Sequence, residues 1–106
     1  MNYRLYRNEK LLWEFKFPIL ELRELEDRYI VLLEIPMNQI YNENVLCISK
    51  DGKLIWRIEY RDFPQPRSHY QGTEYNHNQL IVYNLNSFSV HVDIDTGRIL
   101  RTDFTK

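Results

Sequence analysis

"KDGKLIWRIEY", residues 50 to 60, decides the architecture. It places a tight-turn pair, Asp51-Gly52, ahead of Leu54, Ile55, Trp56 and Ile58, and then Tyr60. Asp-Gly beside apolar residues is a strong short-range sign of a β-hairpin, because glycine supplies the positive φ that the turn demands. Nearly the same phrase, "NEKLLWEFKF", occupies residues 8 to 17. Asn8 aligns with Asp51, Lys10 with Lys53, Leu11 with Leu54, Leu12 with Ile55, and Trp13 with Trp56, 43 residues apart. "DTGRILRTDF", at 95 to 104, is a worn third copy: Gly97 lies 45 residues beyond Gly52, and Arg98, Ile99 and Leu100 stand opposite Lys53, Leu54 and Ile55.

Period-2 runs bounded by turn residues predict strands at about 3–7, 10–17, 28–35, 45–49, 53–60, 79–84, 87–94 and 98–104. Two weaker segments, 19–25 and 68–75, would add edge strands. "FPILELRELEDR" also reads as a short helix, since Leu22 and Leu25 are three apart and Pro18 is acceptable at a helix start. Hairpins are expected to turn at Asn8, at Asp51-Gly52 and at Thr96-Gly97. The chain has no alanine and is rich in Ile, Val, Tyr and Phe, so an all-β domain spanning 1–106 is predicted. Its units would run about 1–17, 18–60 and 61–106: a hairpin and two four-stranded antiparallel sheets, open or completed by oligomerisation. Trp13, Trp56, Gly52 and Gly97 are the expected structural anchors of the repeat.

A period near 44 with successive strands is the spacing of a β-propeller blade. "VDIDTGRIL", with Asp93, Thr96 and Gly97, resembles the blade signature of quinoprotein-type (PQQ-like) repeats, as do Gly52 with Trp56, and Trp13. Arg101 stands where a third tryptophan would fall, and Ser49 replaces the aspartate of the second copy. The resemblance implies blade architecture and carries no cofactor-binding residue. Two and a half blades are fewer than the four to eight of closed propellers.

Fourteen Lys and Arg against fifteen Asp and Glu give a net charge of −1, which argues against a partner as polyanionic as nucleic acid. The longest apolar runs, "YIVLL" and "QLIVY", fall far short of the roughly 20 residues of a membrane-spanning helix. The N-terminus lacks the apolar stretch of a signal peptide. Cys47 is the single cysteine, so nothing demands an oxidising compartment, and a cytoplasmic location is expected.

Chemistry is sparse. Cys47 with His69, His77 and His91 shows no metal-ligand spacing, so no metal is expected. Cys47 sits within an apolar strand, where an inert thiol is the common state. Asp93 and Asp95 read as turn chemistry. No cofactor and no catalytic constellation are expected.

Two patches remain as candidate partner-binding surfaces. One is acidic: Glu21, Glu24, Glu26 and Asp27. The other is the stretch 63–78, read as the longest connection, which carries His69, Tyr70, Glu74, Tyr75 and His77. The function expected is a non-enzymatic protein-binding module. The alanine-free, Asn- and Ile-heavy composition is similar in style to small bacterial toxin-immunity proteins, which implies a cognate toxin as partner and a carboxylate-rich blocking surface. The alternatives are a self-assembling, ring-completing homo-oligomer and a small-molecule or carbohydrate binder using the tryptophans.

Overall fold

In the computed structural model, which describes residues 1–105, the chain forms ten strands. They are β1 (Arg4–Arg7), β2 (Lys10–Glu14), β3 (Ile19–Glu24), β4 (Arg28–Leu33), β5 (Val45–Ser49), β6 (Leu54–Arg57), β7 (Tyr70–Asn76), β8 (Gln79–Asn84), β9 (Phe88–Val92) and β10 (Ile99–Phe104). β1 and β2 form a hairpin, β3 to β6 a four-stranded meander (sheet I), and β7 to β10 a second (sheet II), all antiparallel. The protein is an open, all-β stack of blade-like sheets, as the repeat predicted.

In sheet I the middle strands, β4 and β5, are covered on both faces. Its rows Arg23–Ile30–Cys47–Trp56 and Glu21–Leu32–Val45 face sheet II, and its rows Leu22–Val31–Leu46 and Tyr29–Ile48 face the hairpin. Two cores result: Ile30, Leu32 and Cys47 against Leu80, Val82 and Val90, and Val31, Leu33 and Ile48 against Leu5, Phe15 and Phe17. Two-sided burial is why "YIVLL" is a continuous apolar run, whereas β8, in the sheet with one face open, alternates.

The repeat has a physical cause at the turns. Gly52 and Gly97 both hold positive φ, 87° and 76°. Gly97 lies flat on the Trp56 indole, so that a Cβ there would sit 2.7 Å from the ring carbons. The turn of sheet II thereby clasps the last strand of sheet I. Trp56 Nε1 donates to Ile94 O at 2.8 Å, and Glu59 N donates to Gly97 O at 3.0 Å. One unit earlier, the Gly52 turn rests on β2 in the same way, with a Cβ there 3.2 Å from Leu12 O. Asp93 orders its turn by accepting Asp95 N at 2.9 Å. Ser49, standing in its place, accepts Lys53 N at 2.9 Å.

Two sequence readings are corrected and one alternative falls. Residues 19–24 are a strand, as the edge-strand reading of 19–25 has it, so the helical alternative for that segment falls. The 63–78 stretch is not one long connection: residues 70–76 are β7, in line with the weaker edge strand expected at 68–75, closed onto β8 by His77-Asn78, both at positive φ (51° and 62°). Paired positive φ at two central residues is the type I′ hairpin turn, which Asn8-Glu9 also forms (51° and 65°). The tryptophans are not equivalent anchors, because Trp56 is buried at 5 % exposure while Trp13 is half-buried beside the hairpin core.

Truncating Trp56 to alanine is expected to cost about 3–5 kcal/mol in chemical denaturation, the range for a buried large aromatic. Gly97→Ala combines positive-φ strain with a clash against the indole, and should destabilise more than Gly52→Ala. Equal losses for the two glycine variants would contradict the clasp.

Candidate functional site

The two patches singled out in the sequence meet in part. The β3–β4 turn brings Glu26 and Asp27, β7 brings Tyr75, the β7–β8 turn brings Asn78, and the β9–β10 connection brings Ile94 and Asp95. Together with Leu25 and Arg28 they line a cleft of about 420 Å³. Its floor continues the inter-sheet core, since Leu25, Tyr75 and Ile94 pack against that cluster.

Arg28 organises the rim. Its guanidinium, with the side chain 17 % exposed, makes two 2.9 Å bonds to Asp27, donates to Ile94 O at 2.9 Å and approaches Asp95 at 3.5 Å. The hydrogen bond from Arg28 holds the Asp27 carboxyl below its ordinary value, and the same bond raises Arg28. Asp27 therefore takes up the guanidinium charge. Glu26 makes no ion pair among the described residues, and Asp95 touches Arg28 only loosely, so the cleft keeps an excess of negative charge. Tyr75 donates to Asn78 Oδ1 at 3.0 Å, which fixes its ring as one wall. Because Ile94 O is held by Trp56 as well as Arg28, the clasp that joins the sheets also sets the position of Asp95.

The other expected surface residues lie elsewhere. Tyr70 (2 % exposed) and His69 (7 %) are buried, and neither can be a partner-binding aromatic or rim residue. Burial lowers the His69 pKa, with Arg67 adding to the effect, and burial raises that of Tyr70. Glu21 accepts a hydrogen bond from the Thr73 hydroxyl across the two sheets. Glu24 pairs with Lys50 at 2.5 Å, and that hydrogen bond lowers its pKa. Glu74 accepts from the Tyr83 hydroxyl on the outer face of sheet II, and His77 is exposed on the turn next to it.

Sequence reasoning missed a set of buried and half-buried amides at the opposite end of the sheets. Asn44 donates to Leu33 O (2.8 Å) and Tyr70 O (2.7 Å) and accepts Tyr70 N (2.8 Å), so its side chain acts as a short extra strand. Asn84 donates to Ser68 O and Oγ at 3.0 Å, and Asn86 donates to Arg67 O at 2.8 Å. A signal existed: "YNEN" at 41–44 recurs as "YNLN" at 83–86, a spacing of 42 that follows the repeat.

Among the described residues, no group of three or more His, Cys, Asp or Glu is placed to hold a metal ion. No helix of the described residues is long and apolar enough to cross a membrane. Cys47 is buried, and that burial pushes its thiol up to about 11.

Fold and cleft together define an open stack of two meander sheets and a hairpin with an acidic end. The chain belongs to the family described as "Domain of unknown function (DUF7957)", whose model matches residues 5–104. No curated protein matches it.

Cys47 should resist a thiol reagent such as dithionitrobenzoate in the folded protein at about pH 8, where a free cysteine is partly thiolate. It should react with one equivalent after unfolding in guanidinium. Rapid labelling of the folded chain would place a reactive thiolate at Cys47.

Proposed function

We propose that the protein is a non-enzymatic binding module whose acidic cleft receives a basic side chain of a protein partner, and that the partner is a bacterial toxin it neutralises inside the cell. The observation that carries the reading is the convergence of Glu26, Asp27 and Asp95 beside Tyr75 over an apolar floor. A carboxylate excess next to a fixed aromatic ring suits a lysine or arginine, which buries its aliphatic stem and keeps its charge paired. Nucleases present such side chains to bind phosphate, so a protein that occupies them blocks the active site without chemistry of its own. The buried, high-pKa thiol of Cys47 and the burial of Trp56 weigh against a nucleophilic enzyme and a tryptophan-stacked carbohydrate site. The outer face of sheet II weighs against a ring of stacked copies. Its polar groups already satisfy one another, with Tyr83 on Glu74 and Arg101 bonded to Asp103 and His91.

The test pairs the chain with the product of the adjacent gene, in a pull-down and a growth-protection assay. Glu26→Lys with Asp95→Lys should slow association about tenfold or more and flatten its salt dependence, while the circular dichroism spectrum is unchanged. Glu74→Lys, away from the cleft, should keep full protection. Full protection by the cleft double variant would contradict the acidic-cleft mechanism.

A further inference from the structure

At the end of the sheets opposite the acidic cleft, two connections stand side by side: 34–44, joining β4 to β5, and 58–69, crossing from sheet I to sheet II. Met37, Asn38, Gln39, Ile40, Pro66 and Arg67 enclose a groove of about 370 Å³ between them. Its apolar walls face solvent, with Met37 83 % and Ile40 65 % exposed. Adjacent large apolar side chains left open in this way mark a contact surface, and methionine adapts to differently shaped partners.

The groove is preformed. Asn42 Nδ2 donates to Pro66 O at 2.8 Å, and Ser68 N donates back to Asn42 Oδ1 at 2.9 Å. Asn86 holds Arg67 O at 2.8 Å, and Gln39 N bonds Pro36 O at 3.1 Å within the opposite wall. Asn42 and Asn86 thus fix the 66–68 wall, and a backbone turn bond holds the 36–39 wall, which lowers the ordering cost of binding.

Arg67 closes one end of the groove. Its guanidinium has no carboxylate partner among the described residues. Its Nη2 meets only the Met37 sulfur at 3.8 Å, and its Nε is buried without a hydrogen-bond partner among those residues. A guanidinium without a carboxylate beside it keeps its charge unneutralised, and its fork matches a carboxylate in shape and charge. We infer that this groove docks an extended acidic segment of a protein partner, in which an apolar side chain lies between Met37 and Ile40 and a neighbouring carboxylate pairs with Arg67. This surface is separate from the cleft, and its failure or success leaves the cleft reading untouched.

The test is an amide chemical-shift titration of the full chain with a short blocked peptide of alternating leucine and glutamate. Saturable shifts should concentrate at residues 37–40 and at Arg67, and the same peptide with glutamine for glutamate should bind at least about tenfold more weakly. Arg67→Gln should erase the difference between the two peptides. Ile40→Asp, at an exposed position, should abolish binding of both while the remaining spectrum is unchanged. The inference is overturned if the two peptides bind equally or if neither shifts these residues. It is also overturned if the same residues shift with protein concentration alone, which would assign the groove to a second copy. Binding to phosphatidylglycerol vesicles that is lost in Ile40→Asp would assign it to lipid and overturn it likewise.

Discussion

The contact of Gly97 with the Trp56 indole is the constraint on which the rest of the structure depends. Only a residue without a Cβ and at ease with positive φ can lie on the ring. The close approach brings Ile94 O within reach of both Trp56 Nε1 and Arg28 Nη1. One contact therefore seals the edge of the inter-sheet core, orients the turn that carries Asp95, and draws Arg28 toward Asp27. The cleft is a consequence of how the sheets are joined.

The hairpin performs a smaller version of the same task. Gly52 meets the Leu12 backbone where Gly97 meets a ring, so sheet I is gripped firmly on one side and more loosely on the other. Sheet I has no solvent-facing side in its middle strands, and both of its neighbours are needed to keep β4 and β5 dry. Polar side chains are accordingly pushed to the two ends. At the turn end they are charged and form the cleft. At the connection end the buried ones include amides, which bond backbone groups that no strand pairs, and each is kept because its partners would otherwise go unsatisfied.

Much of this was legible from residue pattern. The turn at Asp51-Gly52 and its two echoes gave the order of units, since a positive-φ turn before an apolar strand, at Asn8-Glu9, Gly52 and Gly97, is a backbone requirement that survives when side chains diverge. The middle strands were legible from their unbroken apolar runs. β7 was harder to see, because it is an edge strand whose outer row, Gly72, Glu74 and Asn76, is polar and whose closing turn, His77-Asn78, contains no glycine. That obscurity led to Tyr70 being read as a surface aromatic, although it starts β7 and is held by Asn44 inside the core. The cleft was half legible: Glu26, Asp27 and Tyr75 came from composition, but their meeting with Asp95 depends on a contact 38 residues apart in sequence, Trp56 with Ile94.

If the Gly97–Trp56 clasp joins the two four-stranded sheets into one cooperative body, native-state amide hydrogen exchange reports it directly. The slowest amides of β4 and β5 and those of β8 and β9 should exchange through one common opening with the same free energy and the same denaturant dependence. Two separate plateaus, with β8 and β9 exchanging freely while β4 and β5 stay protected, would contradict it and leave sheet II as an independently opening layer.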